Sequence, residues 1–166
     1  GSIVAIGSRR HNGNGTDSGQ VRVFENIDGT WTLLGEAILG PQPNDGLGVS
    51  ISLSSDGNIL AVGANQIMTS GESPGFTMIF ENVLGEWTQI GQTIYGAEPL
   101  NGSGNSVSLS ADGNIVAIAT PNGGNNLQGY VQVYENISGT WTQIGSDIIG
   151  EHALDQIGKV SISSDG

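Results

Sequence analysis

Val49-Ser50-Ile51-Ser52-Leu53, then Ser54-Ser55-Asp56-Gly57-Asn58, then Ile59-Leu60-Ala61-Val62-Gly63: these fifteen residues decide the fold. The first five alternate aliphatic and serine, the period of a strand with one greasy and one small face. Asp56-Gly57 supplies the positive φ values that a tight hairpin turn demands. The last five are continuously apolar, as a central strand covered on both faces requires, so this segment is expected to be the most buried. The unit recurs. Ser106–Ser110 and Val160–Ser163 repeat the alternating segment, and Ile3–Gly7 and Ile115–Ala119 repeat the apolar one. The Asp-Gly pairs at 56-57, 112-113 and 165-166 step by 56 and then 53 residues.

Outward from this hairpin the same period holds. Trp31, Trp87 and Trp141 recur at intervals of 56 and 54, and Phe24, Phe80 and Tyr134 keep those intervals, each followed by Glu-Asn and then glycine. Self-similarity at a fixed period marks a repeat architecture. Each repeat holds four short apolar segments, A to D. Segment C reads Val21–Phe24, Thr77–Phe80 and Val131–Tyr134, and segment D begins at each Trp. One such antiparallel sheet buries little alone, but copies stacked face to face around an axis cover one another. The expected fold is all-β: a β-propeller with three four-stranded antiparallel blades per chain, a single unit of repeats at about 1–56, 57–112 and 113–166. The serine face of A suits the crowded inner strand.

Composition agrees. Of 166 residues 28 are Gly, only 12% are charged and none is Cys, which excludes a disulfide scaffold, a Cys-ligated zinc site and a thiol nucleophile. Sixteen acidic against four basic residues give a net charge of -12, a field that repels phosphate backbones and anionic headgroups. Neither nucleic acid nor membrane insertion is expected, and no apolar run approaches the roughly 20 residues of a membrane span.

Gly48 to Ala64, the opening stretch with one residue added at each end, resembles the FG-GAP repeat, the blade unit of integrin-alpha-type β-propellers and of many secreted bacterial proteins. Leu47-Gly48 stands where that motif has Phe-Gly, and Gly63-Ala64-Asn65 where it has Gly-Ala-Pro; the other copies read Ala119-Thr120-Pro121 and Gly7-Ser8-Arg9. The resemblance covers all three repeats and implies an extracellular or cell-surface propeller used for binding. Several members chelate calcium in an Asp-rich loop between A and B. Here that loop holds one carboxylate, short of the about six to eight oxygens calcium takes, so no metal and no cofactor is carried over. Loop 11–18 is oxygen-rich, but only Asp17 in it is anionic.

The repeats are cut so that the chain begins at strand B and ends at strand A. The expectation is that Val160, Ser161, Ile162 and Ser163 of one subunit pair with Ile3, Val4, Ala5 and Ile6 of the next, closing the ring by oligomerisation. A homodimer of six blades is preferred over a homotrimer of nine, because six lies in the common range and twofold rings are the commonest. The competing explanation is a fragment of a longer propeller.

In an A-B-C-D blade the B–C and D–A loops share one face: Arg9–Ser18, Asn65–Pro74 and Pro121–Gln128 with Glu36–Leu47, Gln92–Ser103 and Ser146–Ile157. Such loops on a rigid scaffold are the default ligand surface. Arg9, Arg10 and His11, with Asp17 in the same loop, are the candidate site for an acidic ligand; the alternative is a solvated charge run. The tryptophans either plug the gaps between blades or stack on sugars. Asp56, Asp112 and Asp165 either build turns or ring a weak cation site. Asn14, Asn101 and Asn136 fit the glycosylation sequon. The two histidines, His11 and His152, sit in different repeats without metal-ligand spacing, and nothing marks an acid and a base among Asp45, Glu98, Asp147, Glu151 and Asp155. The functional expectation is a non-enzymatic extracellular binding or adhesion module with an unknown protein or glycan ligand. Alternatives are a structural spacer in a larger surface protein, or a glycan-binding or glycan-processing propeller.

Overall fold

The computed structural model describes residues 2–65 and 73–166. The chain folds by successive antiparallel hairpins into three sheets, with no helix among the described residues. The first holds β1 (Ile3–Gly7), β2 (Gln20–Ile27), β3 (Thr30–Leu33) and β4 (Ile38–Leu39). The second holds β5 (Leu47–Leu53), β6 (Ile59–Ala64), β7 (Phe76–Val83), β8 (Glu86–Gln89) and β9 (Ile94–Tyr95). The third holds β10 (Ser106–Leu109), β11 (Ile115–Thr120), β12 (Tyr130–Ile137), β13 (Thr140–Gln143) and β14 (Ile148–Ile149). Register repeats from sheet to sheet: Val4 faces Phe24, Leu60 faces Phe80 and Val116 faces Tyr134.

The A-B-C-D meander is present, with two corrections. Segment D is not one strand: β8 and β9 both pair with β7, interrupted at Ile90-Gly91, and the other sheets break at Leu34-Gly35 and Ile144-Gly145. The D–A loops therefore begin later than expected. The second correction concerns the turns. Positive φ at both central residues, the type I′ signature, occurs between C and D, at Asp28-Gly29, Leu84-Gly85 and Ser138-Gly139. At the A–B turns only the glycine is left-handed, Gly57 at φ 78 and Gly113 at φ 74. The aspartate before it stays in ordinary space because its carboxylate is bonded to the turn.

Sheets pack face to face. Val21 and Val23 of the first meet Leu60, Val62 and Phe80 of the second, and Ala61 and Ile79 of the second meet Val116, Ile118 and Trp141 of the third. A fully buried Ile79 contributes about 2 kcal/mol by removal from water. Inner strands approach closely because of the serines: Ser50 Oγ donates to Gly104 O (2.7 Å), and Ser52 Oγ accepts Leu109 N–H (3.0 Å).

The three sheets do not close on one another. β6 and β11 are buried along their length, but β1 alternates: Val4 is 39% and Ile6 44% exposed. The expectation that every B segment lies deepest fails there, because β1 packs on the second sheet with one face only and, among the described residues, no sheet covers its Val4 and Ile6 face and no strand pairs with its other edge. Val160–Ser163 makes no ladder; its apolar side chains rest on the third sheet beside Ala117, Ala119 and Val131. Val160 N–H donates to Ser106 Oγ (3.3 Å) and Ile162 N–H to Ser108 Oγ (3.1 Å). The segment thus repeats the bond that β10 makes to β5.

Candidate functional site

The B–C and D–A loops meet at one end of the sheets and are bonded to each other by backbone. In the first repeat Asn44, Gly46 and Leu47 N–H donate to Thr16, Asp17 and Ser18 O at 2.8, 3.0 and 3.1 Å. In the third, Leu154, Gln156 and Ile157 donate to Asn126, Leu127 and Gln128 at 3.0, 3.2 and 3.1 Å. In the second, most of Asn65–Pro74 lies outside the described residues, but Ser103 N–H still reaches Pro74 O at 2.9 Å. The loops of the first and third repeats, which the sequence marks as variable, are therefore preorganised.

Arg9 and Arg10 are the central residues of a β-turn closed by His11 N–H to Ser8 O (3.0 Å), which holds both side chains out into solvent. Among the described residues no carboxylate lies within 4.0 Å of either guanidinium, so two free cations stand on a chain of net charge -12. His11 Nδ1 accepts Gly13 N–H (3.0 Å), which places the proton of a neutral imidazole on Nε2. Asp17 is half-buried at φ 51, its N–H held by Asn12 Oδ1 (2.8 Å). The loop thus gathers all four candidates, with Asp17 fixed by its backbone. Asn12 Oδ1 and Ser18 Oγ, oxygens that could have faced a cation, are engaged within the loop.

The carboxylates of the D–A loops serve the loops. Asp45 is buried and accepts Gln42 N–H (2.7 Å), and Asp155 accepts His152 N–H (2.7 Å). Asp147 Oδ1 accepts Gln143 Nε2 (2.8 Å) and Gln132 Nε2 (3.0 Å), and Tyr134 OH donates to Gln132 Oε1 (3.1 Å). Burial first, then the Asp147 charge, pushes the Tyr134 phenol up. This network was not legible in the sequence, because its four members come from β12, β13 and the bend after it.

On the opposite face Asp56 Oδ1 accepts Ser54 Oγ–H (2.6 Å) and Asn58 N–H (3.0 Å), and its Oδ2 accepts Asn58 Nδ2 (3.0 Å). Asp112 repeats this set with Ser110 and Asn114, and these bonds hold its carboxyl down at about 2. Asp56 and Asp165 are lowered too, chiefly by Ser54 and Ser163. A polar cleft of about 550 Å³ opens between the turns, lined by Asp56, Asn58, Glu81, Asp112 and Asn114 among others. Its aspartates are bonded carboxylates fitted to hold turns and unsuited to give up protons at neutral pH. Two of the three tryptophans are interface residues, Trp87 Nε1 donating to Leu34 O (2.9 Å) and Trp141 Nε1 to Ile90 O (3.0 Å), each in the preceding sheet, whereas Trp31 is exposed.

No family model and no curated protein matches the chain. Among solved structures it is similar to a candidate 6-phosphogluconolactonase from Bacteroides uniformis, at a TM-score of 0.52 and 20% identity, over 81% of this chain and 36% of that one. The chain thus spans about a third of that structure, whose fold is β-propeller-like. The finding corrects two expectations, the non-enzymatic adhesion module and the exclusion of an enzyme. The first rested on the resemblance to a family of binding propellers, the second on the lack of a recognisable catalytic motif.

Proposed function

We propose that the three sheets are consecutive blades of a β-propeller hydrolase that opens the ring ester of a phosphorylated sugar acid on its B–C and D–A loop face. The observation that carries this reading is the structural likeness over 81% of the chain to a candidate 6-phosphogluconolactonase. The loop chemistry supports it. A dianionic phosphate would be repelled by the chain as a whole, and Arg9 and Arg10 are cations with no carboxylate within 4.0 Å among the described residues. Guanidinium groups bind phosphate oxygens in pairs. His11, with Nδ1 occupied by Gly13 N–H, presents Nε2–H as a donor to the carbonyl oxygen, where negative charge develops. In the reaction a water oxygen attacks the carbonyl carbon, the ring C–O bond breaks, one of the water's protons reaches the ring oxygen, and the other is released to solvent as the carboxylate forms.

The test is acid release in a pH-stat, with a phosphorylated and an unphosphorylated sugar δ-lactone. Turnover above the spontaneous rate is expected, with the phosphorylated lactone preferred. Replacing Arg9 and Arg10 with Ala is expected to raise KM for that substrate by about 10–100-fold and leave kcat nearly unchanged, the loss of charged hydrogen bonds that act equally in ground and transition states. No turnover of either lactone by the unsubstituted protein overturns the reading.

A further inference from the structure

The interface between sheets occurs twice in the chain, and each of its halves occurs once more without its mate. On the first sheet, Val4, Ile6, Phe24 and Trp31 line an apolar groove of about 370 Å³. The same register positions on the second sheet, Leu60, Val62, Phe80 and Trp87, pack on the first sheet; on the third, Val116, Ile118, Tyr134 and Trp141 pack on the second. Trp141 is 3% exposed and Trp31 48%. The tryptophan seat shows the other half. Trp87 Cδ1 lies 3.1 Å from a Cβ placed on Gly35, and Trp141 Cδ1 lies 2.7 Å from one on Gly91, but nothing lies within 4 Å of one on Gly145. Ile144 O corresponds to Leu34 O and Ile90 O, which accept the indoles of Trp87 and Trp141.

Strand edges match in the same way. Among the described residues β1 pairs only with β2, leaving its other edge free, and Val160–Ser163 lies on the third sheet without a ladder. We infer that a second copy of this chain covers the first sheet, seating its Ile144-Gly145 bend against Trp31 and its Val160–Ser163 segment along β1. The occupant is a copy of this chain because the exposed face and the incomplete seat are the two sides of one interface, each with the geometry its partner shows elsewhere in the chain. The register follows from the repeats. Leu60, Ala61 and Val62 face Leu53, Ser52 and Ile51, and Val116, Ala117 and Ile118 face Leu109, Ser108 and Val107. Val4, Ala5 and Ile6 of one copy therefore face Ile162, Ser161 and Val160 of the other. Two such contacts close a pair of chains into a ring.

The chain has no cysteine, so paired Ala5→Cys and Ser161→Cys substitutions give a clean probe. Directly opposed antiparallel residues have Cα atoms about 4.5–5.5 Å apart, within disulfide range. On oxidation the double variant is expected to run as a two-chain product on a non-reducing gel, reverting with reductant, while neither single variant does so. Light scattering of the unsubstituted protein is expected to give the mass of two 17.0 kDa chains. Val4→Asp should reduce the two-chain fraction at least 10-fold, and Trp31→Phe should weaken association about 5-fold through the lost indole bond. Circular dichroism confirms that each variant is folded. A one-chain mass for the unsubstituted protein, or a cross-link confined to one chain, overturns the inference; neither readout uses activity.

Discussion

Asp112 shows how much one side chain decides. Its carboxylate takes the Ser110 hydroxyl, then the Asn114 N–H and amide, and these donors favour the charged form down to about 2, against an ordinary value of 3.8. A depressed carboxylate stabilises the fold above its ordinary value, and this contribution is lost as pH falls through its folded value. The melting temperature is therefore expected to drop between about pH 4 and pH 2. Asp112→Asn, which keeps an acceptor for Ser110 but cannot titrate, should flatten part of that drop in thermal melts followed by circular dichroism; an unchanged acid limb would count against it. Gly63 is the second such residue. A Cβ there would strike Gly104 O, so Gly63→Ala is expected to cost about 3 kcal/mol in urea unfolding, by forcing the inner strands apart. The third repeat carries Ala119 at this place without conflict. One residue is missing after Gly158, and Ala119 is not among the three atoms nearest a Cβ placed there, all within 3.6 Å.

At the level of elements, period and turn chemistry made most strands legible. The alternation in Val49–Leu53 and the apolar run in Ile59–Gly63 became β5 and β6 because both faces of β6 are covered. The broken D strand was not legible. Leu34-Gly35 and Ile90-Gly91 look like ordinary loop residues, and their role depends on Trp87 and Trp141 of the following sheets. Gly91 stands at φ 69 with Trp141 against it, so Gly91→Ala both strains the bend and displaces the ring. The expected result is a red shift of tryptophan emission together with a loss of about 2 kcal/mol. An unshifted spectrum would mean that the bend does not seat the ring.

For the whole molecule, charge opposes assembly. Two chains of net charge -12 repel, and salt screens that repulsion over a Debye length of about 10 Å at 0.1 M. Sedimentation is expected to show tighter association as sodium chloride rises from about 20 to about 300 mM; weaker association with salt would point to an interface held by ion pairs. The site is a matter of this scale too. Arg9, Arg10 and His11 were visible as a basic cluster because cations are rare in this chain, whereas the Tyr134, Gln132, Gln143 and Asp147 network was invisible because its members come from β12, β13 and the bend after it and meet only once the two strands pair. The three repeats, the antiparallel meander and the positions of the turns follow from local pattern, since side-chain period and glycine placement act over a few residues. Packing between repeats sets which copies of each repeat position are buried, which turns carry two left-handed residues, where the outer strand bends, and that the sheets end in two unlike faces. Those properties belong to contacts between repeats, and identical local patterns take different environments according to what lies beside them.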